Sequence, residues 1–189
     1  MWSPDIPVRY HIFSTSQSLS LFLSTINVIR GEGRMKRINI DVQKCSGCRY
    51  CEMVCSFHHE RRFSTNLSRI RVAKEDKYGF DFPILCHQCD TCPSVNACPT
   101  RAMTRTESGI IQVREDLCTG CGACANSCTF KALKLDDSSQ PLVCDLCSGE
   151  PACVKRCPTG ALSFKDSETF FDQPEDALRR FLSRWMIVD

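Results

Sequence analysis

Cys45-Ser46-Gly47-Cys48-Arg49-Tyr50-Cys51-Glu52-Met53-Val54-Cys55 decides how the chain is read. Its first three cysteines are each separated by two residues, and a fourth follows after three more. Three cysteines so spaced on a loop can wrap one face of an iron–sulfur cubane. The backbone N–H groups between them then point at the cluster sulfurs. A fourth cysteine at the start of a following helix faces elsewhere. Working outward, the same spacing recurs in Cys118, Cys121, Cys124 and Cys128, and variants of it in Cys86, Cys89, Cys92 and Cys98 (C-x2-C-x2-C-x5-C) and in Cys144, Cys147, Cys153 and Cys157 (C-x2-C-x5-C-x3-C). The 16 cysteines thus form four quartets with none left over.

This is the bacterial-ferredoxin run, in which the fourth cysteine ligates the partner cluster. Gly47, Gly120 and Gly122 meet its demand for close backbone approach and positive φ. Pro99 and Pro158 follow the fourth cysteine of their groups; Ser56 and Thr129 take that place in the other two. Two alternatives fit less well. Disulfides need an oxidising compartment and a signal segment, and tight triplets suit them poorly. Structural zinc uses paired cysteines set far apart. Four such runs in one chain point to iron–sulfur clusters.

The rest of the composition agrees. The chain has 189 residues, the length of one domain or two small ones. With 11 Phe, 3 Tyr and 2 Trp, a core of side chains alone would be thin. Cluster binding therefore supplies folding energy, and the apoprotein is expected to be largely unfolded. The formal net charge of +2 argues against a strongly electrostatic nucleic-acid binder. Loaded clusters, each with four thiolates, would move it to about −6. No stretch carries the roughly 18 apolar residues of a membrane-spanning helix.

Residues 1–34 hold no cysteine and are rich in serine. They lack the basic region, cleavage site and twin arginines of an export signal. Gly31-Glu32-Gly33-Arg34 can be encoded by a purine-rich ribosome-binding sequence, so Met35 is expected to be the natural start. Residues 1–34 are then a non-native or disordered extension; a genuine docking extension is the alternative. Arg37–Val42 alternates as a strand leading into group one, and Ser68–Val72 as another, with Phe80–Leu85 as its candidate partner. Ala102–Arg105 and Ile110–Val113 flank a turn at Glu107-Ser108-Gly109, a hairpin signal. Ala132–Leu135 and Pro141–Val143 flank a polar turn through Ser139. In the C-terminal segment, 167–189, Asp172 and Pro174 mark a helix start. Leu178, Phe181, Leu182 and Trp185 fall on one face of that helix, which either covers the cluster domain or docks a partner.

Cys45 to His59, Ser68-Arg69-Ile70-Arg71-Val72 and the run from Cys144 to Ala161 resemble four-cluster ferredoxin-type electron-transfer subunits. Within that group the chain is most similar to the small iron–sulfur subunits of tungsten enzymes of the aldehyde ferredoxin oxidoreductase family, including class II benzoyl-CoA reductase. The match covers about residues 36–165. It implies an α+β fold of two nested bacterial-ferredoxin units over 35–166, with short strands and helices around four cubane 4Fe-4S clusters. Groups one and four form the outer unit, and groups two and three the inner. The implied ligand sets are Cys45, Cys48, Cys51 with Cys157; Cys144, Cys147, Cys153 with Cys55; Cys86, Cys89, Cys92 with Cys128; and Cys118, Cys121, Cys124 with Cys98. Group two departs from the family's usual C-x4-C step, because Cys92 sits earlier. The resemblance also implies a cytoplasmic protein. Its partners would be a larger tungsten or molybdenum pterin subunit and a ferredoxin or flavoprotein donor or acceptor.

A fully cysteine-ligated cubane has no open position for substrate, and the chain has no dinucleotide or Walker motif. It is therefore expected to move single electrons and to do no chemistry of its own. Cluster potentials in proteins span about −700 to +450 mV, so direction of flow is not readable. His58 and His59 read as surface or packing residues near Cys55. Lys36, Arg37, Arg61, Arg62, Arg69, Arg71 and Lys74 balance cluster charge, steer an acidic partner, or are simply solvated. Three classes stay open: a subunit of a catalytic complex (tungsten or molybdenum type, or a hydrogenase, formate dehydrogenase or CO dehydrogenase), a free polyferredoxin, and a zinc-binding module.

Overall fold

A computed structural model of the chain describes residues 35–166, 178–180 and 183. Its strands are short and lie in antiparallel pairs. β1 (Lys36–Ile40) pairs with β8 (Leu162–Asp166), Lys36 opposite Asp166 and Ile40 opposite Leu162. The strand before group one is thereby tied to the strand after group four. β2 (Ile70–Glu75) and β3 (Phe80–Leu85) form a hairpin around a 3-10 turn at Asp76–Tyr78, closed by Gly79 in the left-handed region. β4 (Met103–Arg105) pairs with β5 (Ile111–Val113), and β6 (Lys134–Leu135) with β7 (Pro141–Leu142). All three hairpins stand where the alternation and turn residues place them.

Most strand boundaries differ from expectation by one to three residues, and two of the shifts have a clear local reason. β1 stops at Ile40 because the Asp41 carboxylate accepts the Gln43 N–H and caps a 3-10 turn at Val42–Lys44. β2 starts at Ile70 rather than Ser68. The Ser68 hydroxyl takes up the Ile70 N–H and donates to the Ile70 carbonyl, folding the chain locally before the ladder begins.

The helices within residues 35–166 are α1 (Tyr50–Glu60), α2 (Pro93–Asn96), α3 (Ala123–Ser127) and α4 (Ala152–Lys155). Each begins within or just after a cysteine loop. Three apolar clusters hold the elements. One joins Ile38, Ile70, Val72, Leu85, Leu146 and Leu162 to buried cysteines. A second gathers Phe80, Phe82, Ile84 and Ala132, and Leu178 of the C-terminal segment packs on it. The third is built on Met103, Ile111, Leu133 and Val143. Leu178 therefore covers the chain's own core, one of the two fates expected of that helix. Phe181, Leu182 and Trp185 lie outside the described residues, as does the extension expected over 1–34. Among the described residues no helix is long and apolar enough to cross a membrane.

Candidate metal centres

The cysteine loops share one backbone device. The residue two places after the first cysteine has positive φ in all four: Gly47 (+63°), Gln88 (+55°), Gly120 (+68°) and Leu146 (+58°). A left-handed residue between two right-handed or extended neighbours turns successive N–H groups toward one concave side, an anion-binding shape. The glycines were legible as such positions; Gln88 and Leu146 were not, since nothing in their side chains favours positive φ. In group four the device extends through Cys147 and Ser148, also left-handed at +47° and +58°. A second repeat follows the fourth cysteines. Arg101, Lys131 and Gly160, three residues on, are left-handed, and their N–H groups bond back to the carbonyls of Cys98, Cys128 and Cys157.

These turns bring together cysteines far apart in sequence. Cys45, Cys48, Cys51 and Cys157 line one small cavity. Cys86, Cys89, Cys92 and Cys128 line a second. Cys98, Cys118, Cys121 and Cys124 line a third. Cys55, Cys144 and Cys153 are buried in one core cluster. Cys147 lies near enough to Cys55 and Cys153 for their thiolates to repel. Cys92 ends up beside Cys86 and Cys89 despite its early place, because it is the extended N-cap of α2 with Pro93 opening the helix.

The donor chemistry fits a soft metal cluster. Four thiols round one cavity are the ligand set of zinc or iron–sulfur centres. Burial pushes the Cys51 and Cys86 thiols up to about 12, and strongly raises those of Cys144 and Cys153. Without a positive centre these thiols would remain protonated; a metal binds them as thiolates. Sulfur also receives hydrogen bonds. Arg69 N–H donates to Cys55 Sγ at 3.3 Å, and Ala132 N–H to Cys128 Sγ at 3.4 Å. Thr100 and Thr159 hydroxyls lie 3.7 Å from Cys98 and Cys157 Sγ. Burial raises these last two thiols. Backbone N–H groups, led by Met103 and Leu162, and the threonine hydroxyls outweigh it and hold both below their ordinary value.

The polar surroundings refine the expectations. His59, one helical turn after Cys55, also reaches a cysteine of another group: Nε2 lies 4.0 Å from Cys147 Sγ and 3.5 Å from Asp145. Burial, aided by the Arg69 charge, lowers its pKa. Asp145 accepts the Cys147 N–H and pairs with Arg69 at 3.0 Å. Several residues of the basic stretch are internal ties. Arg37 is 5% exposed and bonds Asp90 and the Gln88 carbonyl. Lys74 pairs with Asp81, and Arg71 donates to the Lys131 carbonyl.

Comparison with known proteins gives a consistent result. A 4Fe-4S dicluster domain model matches residues 78–167, a span holding groups two, three and four. A polyferredoxin-like subunit of an aliphatic sulfonate oxidoreductase from Pyrococcus furiosus is 43% identical over 110 residues, 57% of this chain and 63% of that one. The chain thus spans just under two thirds of that relative's length. A putative electron transport protein of Escherichia coli, YsaA, is 40% identical over 115 residues, 56% of this chain and 71% of that one. A chain of the BamBC active site complex of benzoyl coenzyme A reductase is 32% identical, with 79% of this chain and 90% of that one covered and a TM-score of 0.44.

Proposed function

Because this chain belongs to the family of ferredoxin-type 4Fe-4S electron-transfer proteins, we propose that it carries electrons along four 4Fe-4S clusters to or from a larger catalytic subunit. The partner is a tungsten or molybdenum oxidoreductase of the aldehyde oxidoreductase or benzoyl-CoA reductase type, and the complex is cytoplasmic. The sixteen cysteines act in the four crossed sets: Cys45, Cys48, Cys51 with Cys157; Cys144, Cys147, Cys153 with Cys55; Cys86, Cys89, Cys92 with Cys128; and Cys118, Cys121, Cys124 with Cys98. The observation that carries this reading is the meeting of Cys157 with Cys45, Cys48 and Cys51 at one cavity. The β1–β8 pairing supports the nesting of the outer unit around the inner within residues 35–166.

When bound, such clusters supply one-electron redox chemistry. The residues of this chain hold them, exclude water and donate to sulfur. Backbone N–H groups of Arg69 and Ala132 and the hydroxyls of Thr100 and Thr159 are placed for that last task. Hydrogen bonds to sulfur favour the more negative, reduced cluster and so raise its potential. Neighbouring sites share packing: Cys86 lies against the cluster of residues that contains Cys144, and Cys51 and Cys153 are members of that same cluster. Groups one, two and four thus share one apolar cluster, and Cys86, Cys92, Cys98, Cys124 and Cys128 of groups two and three share another.

Anaerobic purification from the native source tests the reading. It expects about sixteen iron atoms per chain, four for each quartet, and co-purification of a large pterin-containing subunit. A colourless zinc protein would overturn it. A brown protein recovered alone would favour a free polyferredoxin. Deleting residues 172–189 separates the fates of the C-terminal helix: iron retained but the large subunit lost assigns it to docking.

A further inference from the structure

A surface groove of about 770 Å³ lies where α1 meets α4, with Cys147 in its wall. Its apolar lining comes from Tyr50, Phe57 and Phe63, which are 45%, 41% and 65% exposed. Among the described residues five large hydrophobic side chains are exposed, and three of them are here. The Phe57 and Phe63 rings stack at 4.7 Å, and the Arg61 guanidinium sits 5.9 Å from the Phe57 centroid. These aromatic groups hold one another in place, although each leaves much of its surface in water. Such a cluster is the kind of anchor that interfaces bury.

The rim is charged with one sign in excess. Arg61, Lys155 and Arg156 line the groove, and the carboxylate there, Glu150, is matched by Lys155 at 2.6 Å. That leaves a positive surplus from the two arginines. We infer that this groove docks an acidic one-electron carrier protein, whose centre exchanges electrons with the site held through Cys147. The inference rests on the electron-transfer reading proposed above.

Three features select this occupant over a permanent subunit. Stable obligate interfaces are large and apolar, with lysine depleted at their centres, whereas weak electron-transfer encounters are small. This patch is small, and cations rim it. Charge complementarity with an acidic partner speeds encounter without needing tight binding, the combination a carrier requires. The groove also reaches Cys147, so a carrier seated here lies directly against the proposed group-four site. In each encounter the carrier loses one electron and this protein gains one, or the reverse; no bond forms or breaks.

The test uses the full-length, cluster-loaded protein under anaerobic conditions and a reduced acidic two-cluster bacterial ferredoxin as probe. Stopped-flow absorbance should show the wild-type protein reduced at a rate that falls as salt rises. The double variant Arg61→Glu, Arg156→Glu should be slower by about tenfold or more at low salt, and should lose that salt dependence. Phe63→Ser should raise the ferredoxin concentration for half-maximal rate while keeping the salt dependence. Reduction by dithionite and iron content should be unchanged in both. Arg114→Glu, outside the groove, should behave as wild type. Equal rates for wild type and double variant, or no reduction of the wild type by ferredoxin when dithionite succeeds, would overturn the proposal while leaving the cluster reading intact. Loss of the catalytic subunit on the groove substitutions would likewise overturn it, assigning the groove to that subunit. A wild-type protein without clusters would sink both.

Discussion

The side-chain amide of Gln88 donates to the carbonyl of Cys144 at 2.5 Å, across 56 residues of sequence. Its oxygen accepts the Ile111 N–H at 2.7 Å, and its own carbonyl takes the Arg37 guanidinium. Gln88 is fully buried. One residue of the group-two loop therefore fastens that loop to the group-four loop, to β5 and to β1. Gln88→Leu would leave the Cys144 carbonyl and the Ile111 N–H buried and unpaired, at about 1–3 kcal/mol each. The expected outcome is a protein that loses iron to a chelator faster than wild type. Gln88→Glu keeps the shape but turns a buried carboxylate onto the Cys144 carbonyl, so it should lose iron at least as fast as Gln88→Leu. Wild-type chelation kinetics for Gln88→Leu would show that the clamp contributes nothing.

Cys92 is the cysteine whose spacing departs from the related pattern, yet it lines the same cavity as Cys86, Cys89 and Cys128. Cys92→Ser should therefore cost one whole centre and lower iron from about sixteen to about twelve atoms per chain. Iron content equal to wild type would mean that another group completes the site.

Much of this arrangement was legible because the constraints are local. Cysteine spacing marks the loops, and alternation with turn residues marks the three hairpins. The pairing of Lys36–Ile40 with Leu162–Asp166 was not legible, since neither strand carries a sign of its distant partner. In sequence, Arg37 and Arg69 are only members of a basic stretch that balances cluster charge, steers a partner or is solvated, because a sequence displays charge but not exposure. Only the fold shows them turned onto Asp90 and Asp145. Gln88 and Leu146 stayed hidden for another reason. Their left-handed backbone is imposed by the loop around them, at a cost their side chains do nothing to offset.

Gly47 and Gly79 have nearly the same φ, +63° and +61°, but different surroundings. A Cβ at Gly47 would overlap the Asp81 carboxylate, which pairs with Lys74, whereas a Cβ at Gly79 meets nothing within 4 Å. Gly79→Ala should cost only the left-handed strain, about 1–2 kcal/mol, and keep its iron. Gly47→Ala carries that strain plus a clash inside a cysteine loop, so it should lose iron from that site. Asp81→Gly added to Gly47→Ala should restore part of the loss. Equal behaviour of the two alanine variants in iron content would show that the Asp81 contact is not limiting.

Cys51 and Cys55 lie one turn apart on α1, and both are buried, yet they serve different sites in the crossed scheme. Cys51 lines the cavity of Cys45, Cys48 and Cys157, while Cys55 accepts the Arg69 N–H and packs with Cys144 and Cys153. A helix turn advances about 5.4 Å, enough to carry one thiol past one centre and toward the next. Cys55→Ser should therefore alter the electron paramagnetic signal that Cys147→Ser alters, and spare the signal changed by Cys48→Ser. Serine is a near-isostere, so a site that keeps its cluster should show a shifted signal rather than an absent one. If Cys55→Ser and Cys48→Ser change the same signal, α1 holds one cluster with both thiols. The sites of groups one and four would then be self-contained, and the outer unit would not be interlocked.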